Sequence, residues 1–84
     1  MPKLGVFSGA EIVRIMESAG FIRARQKGGH AIMQRRFDGG TITVPVPLHR
    51  TVRTGMLQSI IRQSGIPREQ FLFEIHASQK EKGR

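Results

Sequence analysis

Apolar residues recur along this chain in two rhythms, and the switches between them divide it into five short segments. Ile12, Val13, Met16 and Ala19 fall three or four residues apart, the spacing that lines one side of a helix. Ser8 and Glu11 stand ahead of that run at the separation of a capping box, where hydroxyl and carboxylate satisfy free amides at a helix start. Gly20 is the expected stop. Residues 21–26 and 30–37 then predict two strands, and Thr41-Ile42-Thr43-Val44 alternates as a third. Lys27-Gly28-Gly29 and Asp38-Gly39-Gly40 are turn sequences between them. Pro45 and Pro47 lack the N–H that a ladder needs, which predicts that the third strand stops there. A polar loop over residues 48–54 leads to a second helical face of Met56, Leu57, Ile60 and Ile61, closed by Gly65. Pro67 to Phe71 suits a short helical turn with proline at an early position.

The order is helix, three strands, helix. Strands joined by two short turns pair as neighbours, giving a three-stranded antiparallel meander. Each helix has only one apolar side, so both must cover the same sheet face. The predicted class is therefore α+β, with the α-β-β-β-α arrangement of a double-stranded-RNA-binding domain. Residues 1–76 are read as one domain and 77–84 as a flexible basic tail. Phe21, Phe37, Phe71 and Phe73 are expected in the core rather than as stacking platforms for bases.

Charge narrows the function. Fourteen Lys and Arg oppose six Asp and Glu, for a formal net charge of +8 over 84 residues. Arg outnumbers Lys, and its planar fork grips phosphate at two points where Lys acts as a point charge. Such a chain is expected to bind nucleic acid or an acidic protein. No cysteine is present, which removes disulfides and thiolate metal sites and suits a reducing cytoplasm. No carboxylate cluster offers to hold a metal, so no metal and no cofactor is expected. No apolar run approaches the ~18 residues of a membrane span, the N-terminus lacks the apolar stretch of a signal peptide, and no membrane partner is expected.

The candidate chemistry centres on His30, behind Gly28 and Gly29 at the mouth of the second strand. Histidine is the side chain that exchanges its proton between about pH 5 and 8. RNA carries its own nucleophile, the 2′-hydroxyl. An enzyme need only remove that proton, stabilise the crowded phosphorus and protonate the leaving 5′-oxygen. The two glycines admit close approach of a phosphate and expose amides to it. If Ala31 and Met33 face the helices, alternation turns His30 outward. His49, in the loop after the third strand, is a possible second acid or base, and His76 lies near the tail. For RNA binding the candidates are Lys27, Gly28, Gly29, Arg23, Arg25, Arg50 and Arg53. Arg23 and Arg25 share one parity of the first strand, and Arg35 and Arg36 point to opposite faces. Arg50 and Arg53 precede the second helix, whose dipole adds a small positive field.

Four blocks carry a family resemblance: Ser8-Gly9-x-Glu11-Ile12-Val13 with Gly20-Phe21; Arg25-Gln26-x-Gly28-Gly29-His30; Val44-Pro45-x-Pro47-x-His49; and Gly55-x-Leu57-x-x-Ile60-Ile61-Arg62-Gln63-x-Gly65-Ile66 with Glu69-x-Phe71. In that order and spacing the chain resembles the HicA family of type II toxins, small mRNA interferases neutralised by HicB antitoxins. The resemblance implies endonucleolytic cleavage of mRNA, with His30 as the key residue and an acidic HicB-type protein as partner. Two positions depart from the family pattern. Gly29 stands where Ser or Asn is usual, and Met56 where Thr is common. The same fold and charge would also serve a non-catalytic RNA-binding module, or a protein whose basic face only docks an acidic partner.

Overall fold

The computed structural model describes residues 7–71. Its elements run α1 (Gly9–Ser18), β1 (Ile22–Lys27), β2 (His30–Phe37), β3 (Gly40–Pro47) and α2 (Thr54–Ser64), followed by a helical turn over residues 68–71. The sheet order is β1-β2-β3, antiparallel throughout. The α+β, double-stranded-RNA-binding-like arrangement is therefore the observed one. His76, Phe73 and the tail over residues 77–84 lie outside the described residues.

One core explains the architecture. Ala31 and Met33 of β2 and Val44 and Val46 of β3 are fully buried on one sheet face. Ile12, Val13, Ile15 and Met16 of α1 and Leu57 and Ile60 of α2 join them in a single cluster. Both helices thus cover the same face. Phe7 and Phe71 close the cluster from the two ends of the described chain, with ring centroids 6.4 Å apart and tilted by 59°.

The ends of the helices are fixed by hydrogen bonds that the sequence prescribes. At α1 the Ser8 N–H donates to Glu11 Oε1 (2.8 Å) and the Glu11 N–H donates to Ser8 Oγ (3.1 Å), the complete capping box. At the exit of α2 the buried Ser64 hydroxyl donates to the Ile61 carbonyl (2.9 Å) and accepts from the Ile66 N–H (3.1 Å), so it carries no unmet polar atom.

Several expectations are corrected. β3 does not stop before Pro45 but continues through Pro47. Pro45 pairs with Ile32 and Pro47 with His30, while Val44 and Val46 pair with Met33 and Ala31. The next even-numbered residue, Leu48, donates its N–H to the Gly29 carbonyl (2.7 Å). Even positions of β3 therefore make the ladder bonds, and both prolines direct their missing N–H off the free edge, where its loss costs nothing. β1 begins at Ile22 rather than Phe21, because Phe21 is buried ahead of the strand. Phe37 is 51% exposed and Met56 50% exposed, so neither belongs to the core. The loop before α2 is not purely polar: Val52 is buried and bridges to Phe7.

The most consequential correction lies in β1. Its register against β2 shifts between Arg23 and Arg25, a bulge that places Arg23 opposite Met33 and Arg25 opposite Ile32. Met33 and Ile32 are consecutive, so the two arginines lie on opposite faces rather than sharing one. Arg23 is on the helix side and Arg25 on the open side.

Truncation of Met33, wholly buried at the centre of the sheet, should show how far stability depends on this core. Met33→Ala is expected to cost about 2–5 kcal/mol in urea unfolding. Phe37→Ala should cost well under half as much.

Candidate nucleic-acid interface and catalytic histidine

Burial of Ala31 and Met33 decides where His30 goes. Alternation along β2 puts His30, Ile32, Gln34 and Arg36 on the face away from the helices. His30 is exposed, as are Arg25, Lys27 and Arg36. Lys27 is the direct cross-strand neighbour of His30, and Arg25 is that of Ile32. Thr41, Thr43 and Pro45 complete this open face from β3, while Pro47, of the same parity, is buried at the sheet's end. Three of its side chains, Arg25, Lys27 and Arg36, are cationic and accompany His30, and none is a carboxylate. The only acid between residues 22 and 47 is Asp38, in the turn at the far end. None of the side-chain hydrogen bonds among the described residues involves His30, His49 or an arginine.

The hairpin in front of His30 is a two-residue turn of Gly28 and Gly29, closed by the pair Lys27 and His30. Gly28 has φ 58°, in the left-handed region that a side chain disfavours. Gly29 does not, and a Cβ added there would meet nothing within 4 Å. A polar side chain at position 29 therefore has room beside His30, although this chain has none.

The loop over residues 48–53 lies against the same end of the sheet. The Leu48 N–H bond to Gly29 joins the neighbour of His49 to the neighbour of His30. The His49 carbonyl accepts from the Gly9 N–H at 2.9 Å, and the Val52 N–H donates to the Phe7 carbonyl at 2.7 Å. These bonds gather the starts of both helices, the glycine turn and the two histidine-bearing segments at one end. Arg50 and Arg53 are exposed in this loop. Arg53 is the N-cap of α2, where no side chain caps the free amides and no acidic residue occupies the first turn. That end of α2 carries an uncompensated positive field.

Of the sequence candidates, Gly28, Gly29, His30, His49, Arg50 and Arg53 converge on this end, and Lys27 and Arg25 extend from it along the open face. Arg23 is separated from them by the sheet. Arg36, left undecided by its parity against Arg35, joins the open face at the far end of β2. Arg35 lies on the helix side, its guanidinium close to Gly20. Among the described residues no group of three or more His, Cys, Asp or Glu is arranged to hold a metal ion. No helix of the described residues is long and apolar enough to cross a membrane.

Fold and site define a small, strongly basic α+β domain with an exposed histidine at the lip of a glycine hairpin. The family model described as the HicA toxin of bacterial toxin-antitoxin matches residues 9–66. The chain belongs to this HicA toxin family and is the toxin component of a toxin-antitoxin system. No individual curated protein matches it.

Substitutions in the hairpin should separate the two glycines. Gly28→Ala is expected to lose about 1–2 kcal/mol in thermal or urea unfolding, because Ala pays the left-handed cost. Gly29→Ser should leave the midpoint unchanged.

Proposed function

We propose that this toxin is a metal-independent endoribonuclease that cleaves mRNA in the cytoplasm, with His30 as its catalytic residue. The observation that carries the reading is the exposed His30 on a face with Arg25, Lys27 and Arg36 and no carboxylate. Membership of a toxin family with ribonuclease-like activity supports it. Such a face attracts the phosphate backbone and leaves no fixed negative charge to repel it.

In the proposed reaction the substrate 2′-oxygen attacks the adjacent phosphorus and the P–O5′ bond breaks. The 2′-hydroxyl proton leaves to a base, and an acid protonates the departing 5′-oxygen. The products are a 2′,3′-cyclic phosphate and a 5′-hydroxyl. His30 takes one of these proton transfers, which is worth about 10²–10⁴-fold in rate. His49 is the candidate for the other, since hydrogen bonds bring its loop against the His30 hairpin. Lys27, Arg25, Arg50, Arg53 and the amides of Gly28 and Gly29 are suited to hold the phosphates and to stabilise charge that builds on the phosphorus oxygens. The antitoxin is proposed to be an acidic protein of the HicB type whose charge complements the same face. The bare Gly29 favours one alternative, a non-catalytic RNA-binding module, which would bind RNA without scission.

The test is cleavage of an RNA oligonucleotide in EDTA. The parent should produce 2′,3′-cyclic phosphate ends, and His30→Ala should lose at least about 10²-fold in rate while still binding. A His30→Ala variant as active as the parent would refute the assignment, and a parent that binds without cutting would favour the RNA-binding module. The bulge makes a second prediction. Arg25→Ala or Arg36→Ala should weaken RNA binding and reduce the salt slope by about 0.7–1 for each phosphate that the variant no longer neutralises. Arg23→Ala should leave both unchanged in the same titration.

A further inference from the structure

Gly9 opens α1, and its backbone lies against the end of β3. A Cβ placed on it would overlap the Pro47 carbonyl oxygen outright and come 2.7 Å from Leu48 Cα and 3.0 Å from the Pro47 carbonyl carbon. All three are backbone atoms, so no side-chain rotation relieves the clash. Gly9 is itself buried, as is Pro47. Its N–H donates to the His49 carbonyl at 2.9 Å. One residue earlier on the same segment, the Leu48 N–H donates to the Gly29 carbonyl at 2.7 Å. The segment over residues 47–49 is thus held between the first residue of α1 and the last residue of the glycine turn. Its carbonyls at 47 and 49 face the helix start and its N–H at 48 faces the hairpin.

Both histidines border this clamp: His30 follows Gly29, and His49 is the last residue of the held segment, its carbonyl bonded to the Gly9 N–H. Anything that moves segment 47–49 away from the sheet moves His49 and loosens the hairpin that presents His30. The capping box between Ser8 and Glu11 fixes the backbone conformation of the helix start around Gly9.

We propose that Gly9 is a positioning residue for the histidine pair: its lack of a side chain lets α1 press segment 47–49 against the Gly28–Gly29 hairpin and so fixes His49 relative to His30. This rests on the ribonuclease reading above for its catalytic consequence, and on the backbone geometry alone for its structural one. A methyl group at Gly9 displaces the segment by on the order of 1 Å, and misplacement of that size costs on the order of 10²-fold when proton-transfer groups must align.

The experiment compares Gly9→Ala with Val13→Ala, a core truncation one turn further along α1, in the full chain and at a temperature where both are folded. Amide hydrogen exchange of Leu48 is read by NMR, and kcat and KM for RNA cleavage are measured across pH. Gly9→Ala should expose the Leu48 amide to at least tenfold faster exchange while the amides of Val44 and Val46 stay protected. It should lower kcat by tenfold to a hundredfold with KM changed less than threefold, and alter the pH profile. Val13→Ala should lower the melting temperature without changing the profile. The proposal is overturned if Gly9→Ala keeps both Leu48 protection and kcat, or if Val13→Ala loses kcat and changes the pH profile to the same degree. Should Gly9→Ala fail to fold, the parent decides: a Leu48 amide that exchanges as fast as an unstructured one overturns the clamp. Should His30→Ala prove fully active, the catalytic assignment of His30 falls by itself and Leu48 exchange alone judges Gly9.

Discussion

A three-stranded sheet with two helices to cover it can bury only one of its faces, and this constraint governs the rest of the molecule. Ala31, Met33, Val44 and Val46 fill the covered face completely. Side chains in a strand alternate strictly, so their neighbours have no choice of side. His30, Ile32, Gln34 and Arg36 are turned away from the helices because Ala31 and Met33 are turned toward them. A slip of one residue would bury a histidine and an arginine and expose the core. The free energy that holds the fold together is therefore the same free energy that presents the histidine.

The division of labour between the faces follows. Apolar burial is concentrated in one cluster that runs from Phe7 to Phe71. Arg25, Lys27 and Arg36 on the open face and Arg50 and Arg53 in the loop before α2 are exposed, while Arg23 and Arg35 lie on the helix side. A strongly positive surface repels itself, which limits the stability of so small a domain. Under the proposed function, an acidic antitoxin or an RNA backbone would relieve that repulsion, so partner and substrate would draw on one electrostatic property. Local backbone features refine the surface. The bulge in β1 divides Arg25 from Arg23, and the prolines of β3 leave its free edge without donors at two positions.

The elements were readable in the sequence because each is announced locally. The capping box, the glycine turns and the alternation in residues 30–37 all specify conformation within a few residues of themselves. His30 could be placed outward only on the condition that Ala31 and Met33 face the helices, because apolar Ile32 shares its parity. What could not be read depends on neighbours in space. The β1 bulge appears only in the pairing of β1 with β2, and no local signal separates Arg23 from Arg25. Pro45 and Pro47 look like strand breakers until it is known that β3 is an edge and that they occupy its outward positions. Met56 fits a helical stripe, yet α2 buries only the narrower side that Leu57 and Ile60 form. The contact of Gly9 with Pro47 and Leu48 joins residues nearly forty positions apart, and the sequence marks it only by a glycine in an otherwise ordinary helix start.

The measurement that tests the account most directly is an NMR titration of the isotopically labelled toxin with a 2′-O-methyl RNA oligonucleotide, which binds but cannot be cut. The amide and side-chain signals of Arg25, Lys27, Gly28, Gly29, His30 and Arg36, and those of residues 48–53, are expected to shift together. Arg23, Arg35 and the solvent side of α1 should stay in place. Shifts confined to the helix side of the sheet, with His30 unmoved, would contradict the claim that burying one face is what turns the histidine toward its substrate.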